Sequence, residues 1–208
     1  MKYRTYLIFG APGSGKGTQG KILGSIPGFF HSATGDIFRS LDLQSEMGRI
    51  FWDYAGRGQL VPDEFTIDLW KQYVKGLEYI NQFHPETEFL VLDGLPRNLT
   101  QQVLLNEVLD VRGIIYLRAS KQKMIERLRR RALKENRIDD ASDDVISRRM
   151  DVFEKETRPV LDKYPSNLVH RIDATKSQIR ILNEIIDIIV PLKEQLDDES
   201  GVDKLRPF

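Results

Sequence analysis

The feature that most constrains this chain is a glycine-rich segment near its start, GAPGSGKGT at residues 10–18. It follows an apolar run at 6–9 and precedes a helix-like stretch at 18–23. Glycines let the backbone curl so that several N–H groups point at one anion, and the following helix adds the positive end of its dipole. An ordinary strand–helix turn needs neither four glycines nor a lysine at a fixed offset. The segment therefore predicts a phosphate-binding loop. The residues expected to contact phosphate are Gly13, Ser14, Gly15, Lys16, Gly17 and Thr18.

Composition narrows the class of protein further. A chain of 208 residues can bury one substantial core. A formal net charge of zero gives non-specific nucleic-acid binding no electrostatic support. The absence of cysteine excludes disulfides and thiolate metal sites, and the three histidines show no ligand spacing. The first apolar run is too short for a signal peptide, and no stretch approaches transmembrane length. We expect a cytoplasmic protein with neither a nucleic-acid nor a membrane partner.

Apolar runs and helical patterns alternate along the chain. Strand-like runs occur at 6–9, 29–32, 89–92, 113–117 and 168–172. Helical patterns occur at 15–23, 37–56, 63–80, 99–108, 121–133, 142–163 and 177–194. This alternation predicts an α/β fold whose parallel sheet is covered on both faces. The polar residues after Pro191 predict a frayed end or a flexible tail.

The loop departs from the general phosphate-binding form at one position. That form has Ser or Thr directly after the lysine, whereas here Gly17 intervenes and the hydroxyl follows at Thr18. The variant GxPGxGKGT is typical of nucleoside monophosphate kinases, and the chain resembles the adenylate kinase family over nearly its whole length. The resemblance implies a P-loop NTPase fold with a five-stranded parallel sheet flanked by helices. It also implies one kinase domain over 1–208, with an AMP-binding helical insert at 34–63, a short lid at 131–140 and a polar tail at 196–208.

Two segments resemble the family's acceptor-binding elements. Thr34-Gly-Asp36 followed by Arg39 resembles its STGD…R element, which implies that Thr34 offers a hydroxyl to the acceptor base and that Arg39 binds the α-phosphate. A plain helix cap by Thr34 or Asp36 is the alternative. The segment at 58–63 resembles one whose backbone contacts the acceptor adenine, which implies a role for Leu60 and Val61. It also fits a turn into a helix that starts with a proline, and both interpretations can hold.

The run Asp93-Gly-Leu-Pro-Arg97 matches a family element and directly follows a predicted strand. Ligands of open parallel sheets bind at the carboxyl ends of the strands. Asp93 is therefore placed to hold magnesium-bound water rather than to bind the metal directly. The resemblance implies that Gly94 and Arg97 contact the acceptor and that Arg97 clamps its phosphate.

The identity of the acceptor base follows from two positions. Adenylate kinases have a glutamine four residues after this arginine, here Gln101, and its amide can donate and accept hydrogen bonds together. UMP/CMP kinases usually have Asn there and Ala in place of Thr34. Both positions favour AMP as acceptor.

A basic region at 127–149 resembles the arginine helices of short-lid adenylate kinases. Arg127 and Arg131 lie four residues apart and share one helix face. Arg137 begins the family's R-x-D-D pattern. Arg148 and Arg149 compete for the next catalytic position, and Arg149 is preferred because the following methionine then matches the family's leucine. A solvated basic patch is the alternative, and it is our interpretation for Arg129 and Arg130.

The lid and the last turn complete the resemblance. About five residues separate Arg131 from Arg137, whereas long-lid enzymes insert a small sheet domain there, sometimes with a four-cysteine zinc site. We therefore expect a short lid and no zinc.

The turn at 173–176 resembles one whose backbone contacts the donor adenine, which implies a role for Lys176.

The resemblance implies a reversible, Mg²⁺-dependent transfer, ATP + AMP = 2 ADP, by a monomer. The alternatives are a UMP/CMP kinase and a non-enzymatic nucleotide sensor. The implied catalytic residues are Lys16, Arg97, Arg127, Arg131, Arg137 and Arg149. ATP would be bound by Gly13, Ser14, Gly15, Lys16, Gly17, Thr18, Arg127, Arg131 and Lys176. AMP would be bound by Thr34, Arg39, Leu60, Val61, Gly94, Arg97, Gln101, Arg137 and Arg149.

Overall fold

The computed structural model describes residues 1–135 and 142–200 of the chain. The strands are β1 (Tyr3–Phe9), β2 (Phe29–Ala33), β3 (Phe89–Asp93), β4 (Leu109–Arg118) and β5 (Val169–Asp173). The α-helices are α1 (Lys16–Leu23), α2 (Thr34–Arg39), α3 (Glu46–Gly56), α4 (Asp63–Tyr79), α5 (Leu99–Leu105), α6 (Lys121–Glu135), α7 (Asp143–Val152) and α8 (Gln178–Ser200). Shorter helical turns lie at Phe153–Thr157, Arg158–Lys163 and Ser166–Leu168.

The strands form one five-stranded sheet in the order β2-β3-β1-β4-β5, and every neighbouring pair is parallel. The α/β class and the five-stranded parallel sheet predicted from the sequence are therefore confirmed. The central strand β1 lies beside β3, with Ile8 opposite Asp93. The loops that follow these two strands consequently leave the same edge of the sheet side by side, which positions the candidate site.

Side chains alternate between the two faces of the sheet, and helices cover both. Leu7 of β1 belongs to a buried cluster with Trp70 of α4. The next residue, Ile8, belongs to a second cluster with Leu23 of α1 and Ile185 of α8. Complete burial of such a side chain contributes about 1.5–3 kcal/mol. The near-continuous apolar sequence of β1 and β3 follows from this arrangement, because these inner strands are buried on both faces.

Helix α1 lies unusually close to β2, and glycine makes that approach possible. A Cβ added to Gly20 would overlap the imidazole of His31, and one added to Gly24 would lie 2.5 Å from the Cβ of the same histidine. The Nε2 atom of His31 is buried and has no hydrogen-bond partner among the described residues. The histidine is thus enclosed between the strand and the helix that follows the glycine-rich loop.

The segment between β2 and α4 has a small core of its own. Phe38 of α2 stacks on Phe51 of α3, with ring centroids 5.0 Å apart and planes 10° from parallel. Val61 completes this buried cluster, which is separate from the two clusters on the sheet faces. The predicted insert at 34–63 therefore has apolar contacts that can hold its helices together as a unit.

Two predicted helices are divided in the structure. The pattern at 37–56 is split into α2 and α3, because the Ser45 side chain caps a new helix by accepting from the N–H of Gly48 at 2.9 Å. The pattern at 142–163 ends as α-helix at Val152. A π-helical turn and a 3₁₀ helix with Pro159 near its start follow, since proline cannot donate to an α-helical hydrogen bond.

Helix α8 extends further than the sequence indicated. It runs through Pro191 to Ser200, so the fraying expected directly after this proline is not what the structure has. Before the proline, Ile181, Ile185 and Ile189 are all buried against the sheet and anchor the helix. The polar tail at 196–208 stays a prediction, and residues 201–208 lie outside the described part.

Among the described residues, no helix combines the length and the apolar character needed to cross a membrane.

Candidate active site

A cleft of about 1050 Å³ opens where the loops after β1 and β3 leave the sheet. The glycine-rich loop lines one part of it and the segments after β2 and β3 line another. The predicted site residues along it are Gly13, Ser14, Gly15, Lys16, Gly17, Thr18, Thr34, Arg39, Leu60, Val61, Asp93, Gly94, Arg97, Gln101, Arg127, Arg131, Arg149 and Lys176. Arg137 lies outside the described residues.

The glycine-rich loop has the backbone shape that anion binding requires. Gly10, Gly13 and Gly15 have φ angles of 153°, 80° and 101°, a region that residues with a Cβ rarely adopt. Gly15 is also the N-cap of α1, and no side chain caps this helix. The first residues of α1 line the cleft and have no side-chain cap, which leaves their N–H groups available to an anion at the helix N-terminus.

Lys16 folds back over its own loop. Its ammonium donates to the carbonyl of Gly10 at 2.6 Å and to that of Ala11 at 3.2 Å. Burial lowers the pKa of Lys16 to about 8, and Asp93 opposes this shift. The lysine is therefore still largely protonated at neutral pH, but its charge is held in a poorly solvated position.

Three arginines surround this lysine closely enough to act on it. Arg97, Arg131 and Arg149 each lower the pKa of Lys16 by like-charge repulsion, after the larger effect of burial. They come from the loop after β3, from α6 and from α7 respectively. Four cations thus converge on one region of the cleft, a concentration of positive charge suited to several phosphate groups.

Thr34 and Asp93 join the ends of two adjacent strands. The Thr34 hydroxyl donates to the carbonyl of Asp93 at 2.9 Å. Helix α2 begins at Thr34 itself and has Ala33 as its N-cap without a side-chain cap. The alternative in which Thr34 or Asp36 caps a helix from residue 37 is therefore wrong. The oxygen of Thr34 can still accept a hydrogen bond from a ligand.

The acidic residue of the same segment pairs with two cations. Arg39 donates to the Asp36 carboxylate at 2.6 Å, and Lys21 of α1 lies 3.5 Å from the other oxygen of that carboxylate. All three side chains line the cleft. Lys21 was not identified from the sequence, because its contact with Asp36 joins elements that only the fold brings together.

Asp93 faces the start of α1. It is 9% exposed, and a Cβ on Gly17 would lie 3.6 Å from its Oδ2 atom. The absence of a side chain at residue 17 leaves room between the carboxylate and the helix. Carboxylate oxygens suit Mg²⁺ or its bound water, so the residues present fit a hydrated divalent cation. Among the described residues there is no group of three or more His, Cys, Asp or Glu that could hold a metal ion.

Gln101 is held by hydrogen bonds on both atoms of its amide. Its Oε1 accepts from the backbone N–H of Arg97 at 2.7 Å, and its Nε2 donates to Asp63 Oδ1 at 2.8 Å. The same Asp63 oxygen accepts from Asn98 Nδ2 at 2.8 Å. Asn98 also caps α5 by accepting from the N–H of Gln101. Asp63 and Asn98 were missed by sequence reasoning, although Asn98 stands three residues before Gln101, the spacing of an N-cap.

The arginines of α6 and α7 differ in their surroundings. Arg127 donates to the carbonyl of Ala174 at 2.8 Å, which ties α6 to the turn after β5. Arg129 is exposed and forms a two-bond pair with Asp143, as expected of a solvated residue. Arg149 lines the cleft and is partly buried, whereas Arg148 is exposed. This geometry favours Arg149 over Arg148 as the residue that faces a ligand.

Two further contacts hold residues at the edge of the cleft in place. Lys176, in the turn after β5, pairs with Glu184 of α8 at 2.5 Å. Thr157 donates to the backbone carbonyl of Arg97 at 2.7 Å, so the π-helical turn supports the segment that carries this arginine. Thr157 was not identified from the sequence, because it belongs to a helical turn whose geometry the pattern did not predict.

The parallel sheet, with the glycine-rich loop between β1 and α1, is a P-loop NTPase fold. A sequence model described as adenylate kinase matches residues 8–169. The adenylate kinase of Porphyromonas gingivalis is 33% identical over 190 residues, which cover 88% of this chain and 94% of that protein. That of Parabacteroides distasonis is 35% identical over 164 residues, or 76% and 82% of the two chains. That of a Cyanothece species is 34% identical over 194 residues, or 90% and 95%. The chain belongs to the adenylate kinase family.

Proposed function

We propose that this protein catalyses the reversible transfer of the terminal phosphoryl group of Mg·ATP to AMP, giving two molecules of ADP. The observation that carries the proposal is a single cleft lined at one part by the glycine-rich loop and at another by Gln101. Arg97, Arg131 and Arg149, which line the same cleft, act electrostatically on Lys16 of that loop. Two nucleotides meeting head to head would place their phosphates against this cluster.

The donor would occupy the part formed by the glycine-rich loop. Backbone N–H groups at residues 13–18 would bind its β- and γ-phosphates, and Lys16 would add a point charge. Arg127, through its tie to Ala174, and Lys176 would frame the adenosine. Arg131 would reach the phosphates from α6. A lysine that already contacts the loop carbonyls would need little rearrangement to bind phosphate.

The acceptor would occupy the part formed by the segments after β2 and β3. Arg39 and Arg97 would bind its phosphate, and Arg149 would reach the same group from α7. Thr34, Gln101 and the backbone near Leu60, Val61 and Gly94 would surround its base. Because Arg97 and Gln101 are four residues apart and are joined by a hydrogen bond, the phosphate and base contacts are set by one rigid segment.

Mg²⁺ bound with ATP would neutralise charge on the phosphates, and Asp93 would hold it through water. Transfer itself needs no covalent intermediate on the protein. The convergent cations would position the two phosphates in line and stabilise the charge on the transferring group. Closure of the segments at 34–63 and 131–140, including Arg137, over the cleft would exclude water as a competing acceptor. A monomeric state, a cytoplasmic location and the lack of zinc remain predictions.

The proposal is tested by an acceptor panel. Purified protein with Mg·ATP is offered AMP, CMP, UMP or GMP, and the formation of ADP is followed by a coupled assay. We expect kcat/KM to be highest for AMP by at least tenfold, since Gln101 and Thr34 stand where UMP/CMP kinases usually have Asn and Ala. A preference for UMP or CMP would instead assign a pyrimidine nucleotide kinase. Tight ATP binding without turnover of any acceptor would assign a nucleotide sensor.

A further inference from the structure

The carboxylate of Asp63 accepts a hydrogen bond from the side-chain amide of Gln101, which the proposed acceptor base would contact. Asp63 is the first residue of α4, and Gln101 lies 38 residues later in α5. Asp63 Oδ1 accepts from Gln101 Nε2 and from Asn98 Nδ2, both at 2.8 Å. Gln101 is 1% exposed, so little water can reach the amide atoms that form these bonds.

Two fixed partners give the Gln101 amide one orientation. The backbone N–H of Arg97 can only donate, and the ionised carboxylate of Asp63 can only accept. Rotation of the amide by half a turn would set its NH₂ against the Arg97 N–H and its oxygen against the Asp63 carboxylate. Both hydrogen bonds would be lost at a part-buried position, and each unpaired group would carry a desolvation cost. The network therefore makes the oxygen and the nitrogen of this amide distinguishable to a ligand.

Orientation of this amide decides which purine edge it can pair with. An amide oxygen has a second lone pair and an amide nitrogen has a second hydrogen, so each atom retains one bond for a ligand. Adenine offers a donor at its 6-amino group and an acceptor at N1. Hypoxanthine, in IMP, offers the reverse at the same two positions, a 6-oxo acceptor and an N1–H donor. In a given binding pose, a fixed amide complements one of these edges and repels the other, whereas an amide free to rotate complements both.

We propose that Asp63 is a positioning residue which, by fixing the Gln101 amide, makes the acceptor site select 6-amino over 6-oxo purine nucleotides. This inference rests on the proposed function, because it concerns the acceptor part of the same cleft. Asp63 does not itself touch the base. Its effect passes through one hydrogen bond of 2.8 Å to the side chain that does.

The first test compares AMP and IMP as acceptors for the wild-type protein and the Asp63→Asn variant. Asparagine keeps the size of the side chain, but its amide can donate as well as accept, so only the Arg97 N–H still opposes the rotated amide of Gln101. We expect the AMP/IMP ratio of kcat/KM to fall by about tenfold, the scale of losing one part-buried charge-assisted hydrogen bond. The KM for AMP should rise, whereas the KM for ATP should change little. Glu64→Gln is the matched control, because it removes a neighbouring exposed carboxylate from the same helical turn.

A double-mutant cycle separates positioning from a general effect on the fold. In a Gln101→Leu background, Asp63→Asn should no longer change the AMP/IMP ratio. An unchanged ratio in the Asp63→Asn single variant overturns the inference, and so does an equal fall in both backgrounds. If that variant does not fold, Asp63→Ala, which removes the acceptor for Gln101 Nε2 altogether, should also lower the ratio. A wild-type protein that phosphorylates neither AMP nor IMP overturns the proposed function itself, whereas activity with AMP and an unchanged ratio overturns only the role of Asp63.

Discussion

The ammonium of Lys16 donates a 2.6 Å hydrogen bond to the carbonyl of Gly10, six residues earlier in the same glycine-rich loop. The lysine side chain thus lies along its own glycine-rich loop, and it lines the cleft. Repulsion from three arginines adds to burial in lowering its pKa. A phosphate bound at this point would relieve both the poor solvation and the repulsion.

Removing this charge should impair catalysis far more than folding. Lys16→Met is expected to lower kcat by about a hundredfold or more, the scale of losing one preorganised charge donor. Lys75→Met removes an exposed lysine of α4, and we expect it to retain wild-type activity. Circular dichroism and thermal unfolding would check that both variants fold. Full activity of folded Lys16→Met would contradict the assignment of the loop.

The same lysine should give the reaction a pH dependence. With a pKa of about 8, the side chain is protonated below that pH and loses its charge above it. The kcat/KM for ATP, which reports the free protein, should therefore fall as the pH rises through about 8. The kcat should fall less, because bound phosphate favours the charged form and raises the pKa. A kcat/KM that stays flat from about pH 7 to about pH 9.5 would contradict this.

Charge neutralisation should close the segments around the cleft. A mimic of two adenosines joined by five phosphates would fill both parts and neutralise Arg131 and Arg149 together with Lys16. Hydrogen exchange at 127–149 and 34–63 should then slow strongly, and AMP alone should slow it less. The central strands, already buried, should change little and serve as the internal control. Unchanged exchange at 127–149 with the mimic bound would refute a gating role for these arginines.

Protonation of His31 should destabilise the fold in acid. Burial lowers the pKa of His31 below its usual 6.5, although Asp93 and Asp36 oppose the shift. The folded state therefore binds this proton less readily than the unfolded state, and stability is lost as the pH falls below about 6.5. The free energy of unfolding of His31→Gln, measured in urea, should depend less steeply on pH between about 6.5 and about 5. Substitution of the exposed His84 by Gln should leave the wild-type slope, and an equal slope in both variants would exclude His31 as its source.

The sheet and the loops along the cleft could be predicted because their signals are local. The runs that became β1 and β3 are apolar along their length, as strands buried on both faces require. The glycine-rich loop combines a strand, fixed glycines and a helix within about twenty residues, and these motif elements follow in sequence. Residues of the acceptor segments came from resemblance to the family rather than from the pattern.

What the sequence could not predict depends on contacts between distant segments. The bond between Asp63 and Gln101 joins residues 38 apart, and neither residue type indicates the other. The pKa of Lys16 depends on arginines from three separate elements. By contrast, the division of α2 from α3 had a local signal, because Ser45 stands three residues before Gly48 and caps the new helix.

The stoichiometry of the reaction distinguishes phosphoryl transfer to AMP from hydrolysis of ATP. ATP, AMP and Mg²⁺ are incubated with the purified protein, and all phosphorus species are followed by ³¹P NMR. We expect that each ATP consumed removes one AMP and yields two ADP, with no inorganic phosphate, and that ADP alone regenerates ATP and AMP. Release of inorganic phosphate without consumption of AMP, or no reaction by a folded protein, would contradict it.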